Sequence, residues 1–311
     1  MSLRLEDYVD LPPHTGSGGF DHAAVHRRLR RLYVAHTAND AIDVIDLDAG
    51  RFVASIGGLT GVAGALVSET ADRTADRVFT SNRGEDTVGI FDPADPAGLV
   101  KVAVGRRPNG LSFDPGRGTL LAANVGDPDD PASHTLSIVD TNQAVMTASI
   151  PVAGRTRWTV FDPVSDQFFV NIADPPSIVT VPGSDPTRSS KSIQIPAAGP
   201  HGLDLDGTGR LFCACDAARL IVLAPSTHEV VADLSLSGAP DVIFLDEALA
   251  RLYVAIGEPG VIDVIDTDRL ECIAVVPTAP GTHTIALDLD SHRVFAFEPL
   301  SHRADVLAPS R

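Results

Sequence analysis

The stretch LYVAHTANDAIDVIDLDAG, residues 32–50, and its echo LYVAIGEPGVIDVIDTDRL, residues 252–270, decide the fold. Each starts as an alternating apolar run carrying an aromatic and passes through a short polar loop. It then resumes as a second alternating run that ends near Asp and a turn, the pattern of two antiparallel strands. VFTSNRGEDTVGIFDPAD, residues 78–95, repeats the unit, and weaker copies start at Leu120, Phe168, Leu211 and Val294. One strand position is bulky and apolar throughout: Tyr33, Phe79, Leu121, Phe169, Phe212, Tyr253 and Phe295. A further short apolar strand precedes each copy, as in RPNGLSFD, GPHGLDLD, GAPDVIFLD and GTHTIALD. Its leading residues are Asp21, Gly64, Asn109, Arg157, His201, Asp241 and His283, spaced by 43, 45, 48, 44, 40 and 42 residues. Gly64 is the loosest of these alignments, because SETADRTADR lengthens that repeat. This period accommodates four strands of about six residues with their turns, the size of a propeller blade.

The expected fold is all-β, a seven-bladed β-propeller of four-stranded antiparallel blades forming one domain over residues 1–311. After His283 only three strands remain, at 284–289, 293–298 and 303–308. The missing outer strand is expected to be LRLEDYV, residues 3–9, which would close the ring and remove a free sheet edge. Composition agrees: 44% hydrophobic residues can fill a core, while 26 Gly and 23 Pro suit many turns and argue against a helical bundle.

With 24 basic against 41 acidic residues the formal charge is −17. Polyanions are gripped by Lys and Arg, so nucleic acid and anionic membranes are disfavoured partners; Arg27, Arg28, Arg30 and Arg31 form the densest basic run. Three cysteines without a CxxC spacing give no disulfide framework and suit a reducing compartment. No signal-peptide pattern and no run of 18 apolar residues occurs, so a cytoplasmic protein is expected.

The LYVA…IDVIDT pattern, with PHGLDLD or PNGLSFD before it, resembles the YVTN-type seven-bladed propellers, related in repeat style to YncE-like and lactonase-like propellers. The resemblance spans residues 3–308. It implies the fold and leaves the activity open, since one fold serves many functions.

In such a propeller the leading ends of the inner strands ring a central channel, and the second-strand ends return to the same face. The expected inner ring is Asp21, Asn109, Arg157, His201, Asp241 and His283. The expected outer ring is His36, Asn82, Asn124 and Glu298, with Cys215, Ile256 and Ile172 or Asn171 completing it. Polar groups there are hydrated, paired or ligand-bound. A water-filled channel, a metal site and a metal-free substrate site all remain open.

His36, His201, His283, Glu298 and Asp21 are the candidate metal ligands, with Asp241 nearby, a donor set suited to Zn²⁺, Mn²⁺ or Fe²⁺. The all-oxygen set Asp21, Asn82, Asn109, Asn124 and Glu298 would instead suit Ca²⁺, as in calcium-dependent lactonase and esterase propellers. A bound metal would activate water toward a lactone, ester or phosphotriester-like small substrate. Asp241 or a free histidine would serve as base, with Arg157 and Asn109 facing the developing charge. A lyase, or a propeller that binds a protein or small ligand on this face, is the alternative. In the loop 81–87, Arg83 and Glu85 are expected to pair locally, and Trp158 to pack between blades. GDPDDP, residues 126–131, lacks EF-hand spacing, and no GxSxG, HExxH, P-loop or GxGxxG motif occurs. Oligomeric state is not legible.

Overall fold

The structure, a computed structural model, describes residues 2–70, 76–188, 190–224 and 226–310. Part of the SETADRTADR insertion lies outside them. Seven four-stranded antiparallel sheets follow one another around the ring. Their inner strands are Phe20–His26, Val62–Ser68, Pro108–Asp114, Thr156–Asp162, Pro200–Leu205, Ile243–Asp246 and Thr284–Asp288. The seventh sheet is completed by Leu3–Asp10, which pairs antiparallel with Arg303–Pro309. The N-terminal strand thus closes the ring as expected.

The seven bulky positions explain how the blades cohere. Tyr33, Phe79, Leu121, Phe169, Phe212, Tyr253 and Phe295 are all at most 4% exposed. Each joins an apolar cluster that straddles two neighbouring blades. Tyr33, Ile42 and Val44 of blade one meet Val62, Val78 and Phe91 of blade two. Phe79 and Val88 of blade two meet Leu111 and Leu120 of blade three, and the pattern continues round the ring. The last clusters join blade six to blade seven through Tyr253 and Leu307, and blade seven to blade one through Phe295 and Leu32. Strand residues of both parities are therefore buried, one set against each neighbour.

The basic run near the N-terminus is spent on neighbouring carboxylates. Arg27 pairs with Asp290, Arg28 with Asp76, Arg30 with Asp288 and Arg31 with Asp46. The three cysteines are free, Cys213 and Cys215 buried in the core and Cys272 exposed. No helix among the described residues is long and apolar enough to cross a membrane.

Removing residues 1–11 would strip Leu3, Val9 and Leu11 from the clusters at the seam and expose an unpaired strand. At about 2 kcal/mol for each buried side chain, the melting temperature should fall by about 10 °C or more, measured by circular dichroism. An unchanged melting temperature would show that the seam does not hold the ring.

Candidate functional site

Five of the seven inner strands share an irregularity that builds the channel mouth. Pairing of the first and second strands slips between Phe20 and Ala23, Val62 and Gly64, Pro108 and Leu111, Thr156 and Thr159, and Pro200 and Leu203. A β-bulge at each site re-aims side chains that regular pleating would alternate. Asp21 and His22 consequently both reach the channel, as do Arg157 and Trp158. Where the second bulge residue is glycine, the next blade fills the space. A Cβ on Gly110 would lie 2.3 Å from the Arg157 carbonyl oxygen, and one on Gly202 would lie 2.5 Å from that of Asp241. Gly64 packs in the same way on Asn109, so register assigns the mouth position of blade two to Ala63, one residue before the sequence alignment.

The inner ring assembles. His201 Nδ1 lies 2.7 Å from Asp216 Oδ1, and Nε2 lies 3.1 Å from Asp241 Oδ1. Arg157 Nη1 sits 2.9 Å from the same Nε2, and Nη2 donates to Asp216 Oδ2 at 3.3 Å. Burial opposes the imidazolium, but the Asp241 charge and the hydrogen bonds that the ring donates to both carboxylates outweigh it and push His201 up to about 9. Burial likewise opposes the Asp241 anion, yet His201, His283 and His22 hold that carboxyl well below the usual range. On the other side of the mouth, Arg83 Nη2 donates to Asn109 Oδ1 at 2.6 Å and to Asp21 Oδ2 at 3.3 Å. His283 turns Nδ1 to the Gly281 carbonyl, 2.8 Å away.

The outer ring does not join it. His36 is fully buried and its Nδ1 lies 2.6 Å from Asp43 Oδ2. Glu298 accepts hydrogen bonds from Ser301 and Arg303. Asn82 bonds Thr87, and Asn124 bonds Thr135 and Ser137. Except at His36, whose bond goes further along the adjacent strand, each has a partner directly across the hairpin, because a second-strand end lies one strand removed from the axis. The proposed metal donors are therefore not brought together: His201 and His283 with Asp21 stay at the mouth, while His36 and Glu298 are committed inside their blades. Among the described residues no group of three or more His, Cys, Asp or Glu side chains is arranged to hold a metal ion. These residues do not assemble a donor set for Zn²⁺, Mn²⁺, Fe²⁺ or Ca²⁺.

Sequence reading missed several members of the site. Arg83 does not pair with Glu85, whose carboxylate lies 2.7 Å from Lys101; it reaches the mouth instead. Trp158 is not an interblade spacer alone: its ring meets His22 across the channel, with centroids 4.2 Å apart. Asp216 follows the second strand of blade five and carried no motif. Arg107 and Arg155 stand in the loops that lead into Asn109 and Arg157, and both are exposed. Burial and then the guanidiniums of Arg157, Arg83 and Arg107 lower the Arg155 pKa, which places four arginines in one electrostatic neighbourhood.

No known protein family and no curated protein matches the chain. Its structural likenesses are clear. Hydrazine synthase of Kuenenia stuttgartiensis superposes with a TM-score of 0.80 at 14% identity, over 96% of this chain and 98% of that one. A chain of a mitotic checkpoint complex superposes with a TM-score of 0.79 at 12% identity, over 99% of this chain and 92% of the other. At such identities the likeness shows the seven-bladed propeller fold alone.

The His201 pKa makes a stability prediction. The folded value of about 9 lies above the unfolded value of 6.5, so the contribution is complete below pH 6.5 and is lost as pH rises through 9. It amounts to about 3 kcal/mol. Wild-type melting temperature should therefore fall across that window relative to His201→Gln, and parallel pH profiles for the two proteins would refute the assignment.

Proposed function

We propose that the channel mouth binds a small anionic organic molecule. The observation that carries this reading is the gathering of Arg83, Arg107, Arg155 and Arg157 at one end of the channel in a chain of net charge −17. Like charges at close range repel, so such a cluster is favoured when an anion sits among them. Two details support it. Arg107 and Arg155 have no ion-pair partner among the described residues, and the Nε groups of Arg83 and Arg157 are buried without an acceptor. A carboxylate or phosphoryl group would satisfy those donors, and Arg forks suit both.

A second reading, hydrolysis or lyase chemistry on an anionic lactone or ester, is favoured by His201. An imidazolium set beside Arg157 can donate a proton to a leaving oxygen while the guanidinium holds the anionic group. Asp241 acts in this scheme by holding His201, since a carboxylate of such low basicity is a poor base toward water. Asn109 positions Arg83. Kinship with YVTN-type propellers, a cytoplasmic location and a charge that disfavours nucleic acid and membrane partners belong to the same proposal. They rest on the repeat motifs, the free thiols and the charge.

Calorimetric titration with inorganic phosphate, citrate and 4-nitrophenyl phosphate, against uncharged 4-nitrobenzyl alcohol, should show binding of the anions only. Arg157→Ala and Arg155→Ala should each weaken it about tenfold, with a clear dependence on salt. Equal binding of charged and uncharged ligands would end the reading. Turnover of a carboxylate-bearing lactone that His201→Gln abolishes while ligand binding survives would establish the catalytic form.

A further inference from the structure

Below the mouth the channel changes character. The His22 and Trp158 rings meet across it, and beneath them opens a cavity of about 740 Å³ that reaches the opposite face of the ring. Its wall is largely apolar, with Leu66, Phe113, Trp158, Phe161 and Phe244 among the lining side chains. The four charged side chains that line it are Glu69, Asp162, Asp204 and Asp206, and no Lys or Arg does so among the described residues. This is the opposite sign from the arginine-rich mouth.

The four carboxylates are not equivalent. Glu69 faces His26 Nδ1 at 2.7 Å, Asp162 accepts from Ser165, and Asp206 is paired with Arg210 at 2.7 Å. These three serve the turns at the outer rim. Asp204 stands deeper on the inner strand of blade five, without a cationic partner. Its oxygens each accept one backbone N–H, from Leu205 and from Leu245 of the next blade, both at 2.8 Å. The Leu245 bond ties blade five to blade six, and a second lone pair is left on each oxygen. Burial pushes this carboxyl up to about 7 against the two N–H donors, and Glu247 and Asp206 add to the rise. A carboxyl so placed gains most from a cation that enters the cavity with it. Aromatic faces beside it attract the same kind of ligand.

We propose that the lower channel is a binding chamber for a primary amine with an aromatic or aliphatic body, its ammonium group on Asp204 and its body against Trp158, Phe161 and Phe244. Burial outweighs the Asp21 and Asp241 neighbours of His22 and lowers its pKa, so it competes for a carboxylate less well than a free imidazole. The chamber volume accommodates a ligand of the size that such concave apolar sites take. The arginine mouth plays no part in this recognition, so either proposal can fail without the other.

Trp158 is the only tryptophan, so its fluorescence reads the chamber directly. Titration of the full chain with phenethylamine should give a saturable change, at least about tenfold tighter than with 3-phenylpropionate, which matches its body but reverses its charge. Asp204→Asn should weaken the amine about tenfold or more. Should that variant not fold, Ala24→Phe fills the chamber while leaving Asp204 in place, and should abolish the response at an unchanged fold by circular dichroism. Equal affinity for amine and acid, no saturable response to the amine, or unaltered binding in the folded variants would overturn the proposal.

Discussion

Because a four-stranded blade carries apolar side chains on both faces, no blade can bury its surface alone, and stacking against two neighbours is the constraint from which the rest of this structure follows. Tyr33 and its six counterparts sit at those interfaces, almost completely shielded. A row of such sheets leaves two unburied faces, and a closed ring leaves none. Closure in turn requires the terminal strand Leu3–Asp10 to complete the seventh blade, which couples the two ends of the chain through Leu3, Val9, Phe295 and Leu307. Once the ring is closed, the axis is a concave surface on which some side chains are released from interblade packing. Chemistry can vary there without unmaking the fold.

The bulges convert that freedom into a site. A regular inner strand presents alternate residues to the axis, whereas a slipped register lets two consecutive residues face it. Blade one uses both positions for polar groups, Asp21 and His22. Blades three and five use the second for glycine, which brings the next inner strand close enough to set the Arg157 and Asp241 backbones. The side chains of the mouth are therefore positioned by backbone contacts between blades. This is a stiffer support than a surface loop gives.

How much of this could be read from sequence depended on whether the signal was periodic. The blade unit recurs, so strand order, the ring closure and the buried aromatic of each blade were legible from residues such as Tyr33 and Tyr253 alone. The inner ring followed from the same alignment, and five of its six polar members make side-chain contacts at the mouth, with His283 turned to its own loop. The outer ring failed for a geometric reason. Second-strand ends share the face but not the axis, and a polar residue such as Asn124 or Glu298 there finds a partner across the hairpin before it finds a ligand. Arg83, Asp216 and Asp204 were illegible because each acts through a contact with another blade or loop that no local motif encodes.

The two ends of the axis carry opposite charge, and the sequence total conceals it. A net charge of −17 describes a surface on which carboxylates end strands and cap turns, as Asp46, Asp140 and Asp266 do for the backbone N–H groups that follow them. Those charges are screened by solvent within about 10 Å at moderate salt. Charges within the axis are flanked by the low-dielectric walls of the ring instead, so Arg157 at one end and Asp204 deep below retain more of their fields than the exposed Arg107 and Arg155 do. The His22 and Trp158 rings meet where the lower cavity begins. A ligand arriving at the mouth thus meets arginines that are only partly paired, with Asp21 and Asp216, whereas one arriving from the other face meets carboxylates as the charged lining side chains among the described residues. The overall charge is therefore a poor guide to the axis, where a few side chains set the local field.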